Sequence, residues 1–234
     1  AMSTHPDIPA DYLDTVVCGD ARKLAKRIPD ESVDLVFTDP VYERIQDYRW
    51  LAREAARVLR TGGACLVWCS NVGQYAVQPA MKRYLSFVLP LTYTKIAKTY
   101  KAHGYRAFLW TTPCLWFHKG KQHEHQWLID SVVDVDGNAI VSTDTPPTDS
   151  YKWHKNPEAY RRWLRALCPE GGVVWDPFTG SGSLPVECRL MDRHFIASEL
   201  KPDVAAIAQR RVAGAVLPMM ERLDQVALFG AGAA

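Results

Sequence analysis

The stretch that most restricts what this chain can fold into is Val173-Val174-Trp175-Asp176-Pro177-Phe178-Thr179-Gly180-Ser181-Gly182. An apolar run ends in an acid, and a tight Gly-X-Gly turn follows. Next comes a helix-compatible pattern of Leu184, Val186, Cys188, Leu190 and Met191. Strand, glycine turn and helix make half of an α/β unit. A nucleotide-like ligand can approach bare backbone at the glycines there and meet the donor-rich start of the helix. A lone Gly-X-Gly says little. Here His194-Phe195-Ile196-Ala197-Ser198-Glu199 reads as a second strand ending in an acid. It lies about 20 residues on, where a carboxylate binds ribose hydroxyls.

A second stretch is Ser32-Val33-Asp34-Leu35-Val36-Phe37-Thr38-Asp39-Pro40-Val41-Tyr42, a buried strand that delivers Asp39 to its carboxyl end. Ligands bind at that end of open parallel sheets. Together the two stretches resemble the cofactor and catalytic motifs of the S-adenosylmethionine-dependent amino-methyltransferases, which methylate an exocyclic amine of a DNA base. The catalytic motif of that family is usually Asp-Pro-Pro-Tyr. Val41 departs from it, which frees φ and restores an N–H. The catalytic-type motif precedes the cofactor motif, as in the β group of the family. The resemblance covers roughly residues 12–213, the expected catalytic domain, followed by a tail over 214–234.

Between the motifs, elements alternate. Val16-Val17-Cys18 is a short strand before Gly19-Asp20. Ala21 to Ile28 has helical spacing, and Pro29-Asp30 ends it. Arg49 to Arg60 reads as a helix stopped by Gly62-Gly63, and Ala64 to Cys69 as a buried strand. Gln74 to His103 reads as one long helix broken at Pro90 and stopped by Gly104. Tyr105 to Thr111 and Cys114 to Phe117 read as strands around Thr112-Pro113. Residues 119–150 differ in character, with a hairpin signal at Asp136-Gly137-Asn138 and the polar Thr143–Ser150 loop. They read as an insertion on the sheet, and the resemblance makes this variable region the target-recognition element. Glu158 to Leu167 is a helix with Pro157 suited to its first turn, and Pro202 starts another through Arg211. Such alternation implies an α/β class with a doubly wound, mostly parallel sheet. The resemblance narrows this to a Rossmann-like methyltransferase fold.

The resemblance also distributes roles. Asp39 and the Pro40 carbonyl would accept the N–H hydrogens of the target amine, and Tyr42 would offer a ring for the base to stack on. The base must then leave the duplex. S-adenosylmethionine is the implied cofactor. Asp176, Phe178, Gly180, Ser181 and Gly182, with Thr179 among them, would surround its methionine and adenine portions. Glu199 would bind its ribose. Trp153-His154-Lys155-Asn156-Pro157 sits where the family has a Lys-Pro motif, so Lys155 and His154 would hold the cofactor carboxylate. An Asp at the first motif position favours adenine N6 as target, with cytosine N4 the near alternative. An inactive nucleic-acid-binding module and a nucleotide-using dehydrogenase are more distant ones. Against the dehydrogenase, Ser183-Leu184-Pro185 follows Gly182 where a third glycine belongs.

Charge points to the partner. The net charge is only +2, but Met81 to Lys121 contains eight Lys or Arg and no Asp or Glu. A basic stretch with interleaved aromatics suits a polyanion, and the resemblance implies that it is double-stranded DNA. The six cysteines sit mostly in apolar runs with no Cys-x-x-Cys pair. They read as buried free thiols, Cys114 of Pro113-Cys114 included. His118, His123, Glu124 and His125 lack the spacing of a closed metal site. No apolar run approaches a membrane span, and Ala1 to Asp11 shows no signal pattern, so the expected location is the cytoplasm. β-group relatives are often dimers. Gln225-Val226-Ala227-Leu228-Phe229 resembles the peptide that docks in the bacterial sliding clamp.

Overall fold

In chain order the elements are β1 (Thr15–Cys18), α1 (Ala21–Leu24, continued by a 3₁₀ turn over Ala25–Arg27), β2 (Val33–Thr38), α2 (Ile45–Val58) and β3 (Leu59–Trp68). Then come α3 (Gln74–Met81), β4 (Ser86–Lys95), β5 (Tyr100–Ala102), β6 (Ala107–Leu109), β7 (Thr111–His118) and β8 (Ser131–Asp134). The chain closes with α4 (Glu158–Leu167), β9 (Val173–Asp176), α5 (Ser183–Leu190), β10 (His194–Glu199) and α6 (Pro202–Gly214). This computed structural model describes residues 8–95, 100–102, 107–121, 128, 130–134 and 157–215. His154, Lys155, the hairpin signal at Asp136-Gly137-Asn138 and the Gln225–Phe229 peptide lie outside the described residues.

Among the described residues, eight strands form one sheet in the order β1-β10-β9-β2-β3-β7-β4-β8, and β5 pairs with β6 apart from it. Within the large sheet β7 alone runs antiparallel, between β3 and β4. The central strands explain themselves. In β2, Val-Asp-Leu-Val-Phe-Thr is buried at all but its second residue, and β9 is buried throughout. Such runs suit parallel strands covered on both faces. Side chains alternate across the sheet. Val36 and Trp175 join Tyr48, Trp50 and Leu51 of α2 and Val77 of α3 on one face. Leu35, Phe37 and Val174 join Tyr160 and Trp163 of α4, Leu184 of α5 and Ala208 of α6 on the other. Among the described residues, no helix is long and apolar enough to cross a membrane.

The structure corrects the sequence in the β3–β7 half. The helix expected over Gln74–His103 stops at Met81, and a strand begins at Ser86. Pro79 sits inside α3, where its ring removes a donor and weakens continuation. Phe87 to Thr94 then carries the β-branched and aromatic residues of a strand. Pro90 is tolerated in β4 because β8 pairs only from Thr92 onward, leaving that flank of Pro90 without a ladder. Residues Leu59 and Arg60, expected at the end of α2, already belong to β3. Pro113 lies within β7 rather than between two strands. Five of the six cysteines are buried, Cys114 included, and Cys18 is exposed.

Asp34 ties three strands together near their amino ends. Its Oδ2 accepts the Val173 N–H at 2.7 Å and its Oδ1 accepts from Arg60 at 2.9 Å. The Val173 bond stands in for a ladder bond on the β9 side of β2, and the Arg60 bond spans the β3 side, where the register shifts between Val33 and Leu35. Asp34→Ala should lower the unfolding free energy by about 2 kcal/mol. A urea titration that finds the midpoint unchanged would refute this role.

Candidate active site

The two motif-bearing strands are neighbours. β2 pairs with β9 in parallel, with Val36 opposite Trp175. From β9 the chain proceeds to β10 on one side, and from β2 it proceeds to β3 on the other. That reversal opens a crevice beyond the strand tips. There Thr38 Oγ1 donates to Asp176 Oδ1 at 2.6 Å, and the Phe178 N–H donates to the same oxygen at 3.2 Å. Burial pushes the Asp176 carboxyl up to about 7 and the nearby Asp39 charge adds to this, while hydrogen bonds from Thr38, Thr179 and the Phe178 amide oppose it.

Asp39 follows β2 directly and is half-buried, and Pro40 beside it is buried. The Tyr42 hydroxyl hydrogen-bonds to Asp39. Burial first, then the Asp39 charge, pushes the Tyr42 phenol far up, so it remains a donor. Tyr42 packs against the aromatic cluster of Phe37, Trp68 and Tyr160. The Phe37 and Tyr160 rings lie 5.1 Å apart. Tyr160 was not singled out in the sequence, yet burial and the charges of both Asp39 and Asp176 raise its phenol. Val41 turns outward and is 55% exposed.

The glycine turn is built from below. Gly182 caps α5 with φ +80°, and a Cβ there would lie 2.9 Å from Ala208 Cβ of α6. The turn can pack on α6 only without a side chain. Gly180 has φ +54° and nothing within 4 Å of where its Cβ would be, so bare backbone faces open space. Its N–H donates to Glu199 Oε2 at 3.1 Å, and Glu199 Oε1 accepts from the Lys201 N–H at 2.9 Å. Ser181 faces into the protein. Its carbonyl and hydroxyl accept from Arg211 Nη1 at 2.6 and 3.1 Å. Arg161 pairs with buried Glu187 at 2.5 Å in the same layer. The Phe178 ring meets Trp50 edge-on at 5.8 Å, and Trp50 meets Trp175 at 5.9 Å.

A further acid completes a pattern. β1 pairs with β10 so that Cys18 lies opposite Glu199, and the Gly19 N–H donates to the Glu199 carbonyl at 2.9 Å. Asp20 comes next and caps α1 through the Arg22 N–H at 2.9 Å. Four adjacent strand tips, in the order β1, β10, β9 and β2, therefore carry Asp20, Glu199, Asp176 and Asp39. Three strand spacings make this row about 14 Å long. An acidic row beside an open glycine turn suits a ligand that is cationic and rich in hydroxyls. It repels a pyrophosphate, which argues against the dehydrogenase alternative. Asp20 could have been read from the strand-Gly-Asp-helix sequence. Tyr160 and Arg211 could not, because only the packing of α4 and α6 brings them here.

Comparison with known proteins agrees with this geometry. The model of the N6/N4 family, described as DNA methylase, matches residues 33–210. The type II methyltransferase M.HinfI of Haemophilus influenzae is 21% identical over 86% of this chain and 69% of its own length. M.HpaI of Haemophilus parainfluenzae is 25% identical over 84% of this chain and 73% of its own. Among solved structures, the M1.HpyAVI–SAM complex superposes with a TM-score of 0.69 over 85% of this chain and 98% of that one, at 18% identity. The cytosine-N4-specific PvuII DNA methyltransferase reaches 0.73 over 94% and 96%, at 15% identity. These likenesses bear out the α/β methyltransferase-type fold expected from the sequence.

Two expectations follow from the site. Asp176 holds its proton to about pH 7 in the folded chain, against an ordinary value of 3.8. The folded state therefore binds more protons than the unfolded one between those values, and stability falls as pH rises through that window. Relative to Asp176→Asn, the wild type should lose a few kcal/mol from about pH 4 to 7 and then level off. Parallel difference curves across that range would contradict it. Gly182→Ala should cost at least about 2 kcal/mol, through strained φ and the clash with Ala208. Gly180→Ala should cost roughly half as much, because its Cβ meets nothing. Thermal or urea unfolding ranks the two.

Proposed function

We propose the following for this chain, which belongs to the N6/N4 family of DNA methylases: it transfers a methyl group from S-adenosylmethionine to adenine N6 in double-stranded DNA. The observation that carries this reading is the 2.6 Å bond from Thr38 to Asp176, which puts the Asp39 tip beside the glycine turn.

S-adenosylmethionine supplies a methyl group on a sulfonium, open to in-line displacement by nitrogen. The residues fit it: Gly180 leaves room for close approach, and the acidic row complements its cationic centres and hydroxyls. Glu199 takes the ribose hydroxyls. Asp176, Phe178, Thr179, Gly180, Ser181 and Gly182 form the surrounding turn, with Ser181 contributing backbone shape because Arg211 holds its hydroxyl. Lys155 and His154, which precede α4 in the sequence, would hold the carboxylate.

The target amine is a poor nucleophile because its lone pair is delocalised into the base. Asp39 accepts one N–H, since an ionised carboxylate is an acceptor only, and the Pro40 carbonyl accepts the other. Both bonds would favour a tetrahedral nitrogen able to displace the thioether from the methyl group, and the proton that the methylated nitrogen must shed would pass to Asp39 or to solvent. Tyr42 presents its ring to the base, while its hydroxyl keeps Asp39 oriented. A base in an intact duplex cannot reach a half-buried strand tip, so it is extruded. No covalent enzyme intermediate is required.

The test uses methyl-labelled S-adenosylmethionine and a mixed-sequence plasmid, digested to nucleosides after incubation. Label in N6-methyldeoxyadenosine is expected. Label in N4-methyldeoxycytidine selects the near alternative, and label in neither overturns the reading. Asp39→Ala should reduce transfer about a thousandfold or more while cofactor binding survives. Joint loss of both would count against the role given to Asp39.

A further inference from the structure

We propose that the rim beside the active site, formed by Val41, Val72, Tyr75 and Trp110 and continued along α3 by Lys82 and Arg83, is the wall on which the target duplex docks. This deepens the proposed DNA methylation and rests on it.

Among the described residues, four of the six large exposed apolar side chains lie on this rim, Tyr84 and Leu200 being the others. Val41 and Val72 are each 55% exposed, Tyr75 79% and Trp110 47%. Single exposed apolar residues are ordinary, but several on one edge mark a contact surface. Val41 follows β2, while Val72 and Tyr75 follow β3. Trp110 directly precedes β7, whose antiparallel course starts at that same edge. The edge is fastened across strands: Asn71 Nδ2 donates to the Thr111 carbonyl at 2.6 Å, and the Cys69 N–H to the Pro113 carbonyl at 3.1 Å. β7 stands two strand spacings, about 10 Å, from the strand that carries Asp39. Trp110 is therefore placed beside the mouth rather than inside it.

Charge selects the occupant. From Ala55 to His123 the chain has ten of its 28 Lys and Arg residues and none of its 26 Asp and Glu residues; three of the ten, Arg57, Arg60 and Lys119, pair with acids outside the stretch. This stretch contains β3 to β7, the half of the sheet opposite the acidic row. A second copy of the same face would bring like charges together in an isologous pairing. A polyanion would not. Tyr75, Gln78, Pro79, Lys82 and Arg83 line one shallow depression along α3. From Tyr75 to Lys82 the helix rises about 10 Å, the rise of about three base pairs. Aromatic Tyr75 and Trp110 face the disrupted stack where the base departs, and Lys82 and Arg83 meet the phosphates of the flanking duplex.

The experiment is fluorescence anisotropy of a labelled mixed-sequence duplex at several salt concentrations, with the wild type, a Tyr75→Ala/Trp110→Ala variant and a Lys82→Gln/Arg83→Gln variant. The aromatic variant should bind roughly ten- to a hundredfold more weakly. The basic variant should lose about two from the slope of log K against log salt. Both should keep the wild-type melting temperature and affinity for S-adenosylmethionine. Wild-type duplex affinity and salt slope in both variants would overturn the inference. So would a wild-type dimer in sedimentation that the aromatic variant splits, because the rim would then be a subunit interface. Plasmid methylation by the wild type separates the two levels: no label in DNA sinks the proposed function, whereas equal labelling and binding by wild type and variants sinks only the docking wall.

Discussion

The pairing of β2 with β9 is the constraint on which the site depends. Neither strand alone makes the candidate site. β2 contributes a half-buried acid and a neighbouring hydroxyl, and β9 contributes an acid and a glycine turn. Thr38 and Asp176 join them through one short hydrogen bond in a buried, low-dielectric place, where such a bond is strong and its loss costly. The flanking strands extend the pair in two directions with different chemistry. Toward β10 and β1 the tips are acidic. Toward β3 and β7 the rim is aromatic and apolar.

Much of the catalytic half could be read in the sequence because local and global signals agree there. β2, β9 and β10 are short apolar runs ending in acids, and their burial leaves them no other place than the sheet centre. α4 and α6 begin at prolines and keep one apolar face. Asp39, Asp176 and Glu199 were legible because a strand's last residue has a fixed position relative to its neighbours. Ser181 was legible as part of a turn but not in its orientation, which depends on Arg211 from a helix thirty residues away.

The β3–β7 half misled because its signals conflict. Gln74 to His103 lacks acids and carries scattered apolar residues that fit a helical period as well as a strand one. Pro90 looked like a helix break, yet it marks a stretch of β4 with one unpaired flank. The antiparallel turn of β7 leaves no local trace, since Cys-Leu-Trp-Phe reads the same in either direction. Only pairing with Val67, Leu66 and Cys65 on one side and β4 on the other fixes its course.

The order of the strands also bears on how the protein is made. Thr38 and Asp176 are 138 positions apart in the chain, and β1 waits for β10 to pair with Thr15 and its neighbours. On the ribosome, β2 emerges with one backbone edge unsatisfied, and that edge stays open until the chain some 138 residues further on has been synthesised. An unpaired strand of this kind invites association with other nascent chains. The enzyme therefore acquires its crevice in one late step, when β9 and β10 together fill the place between β2 and β1.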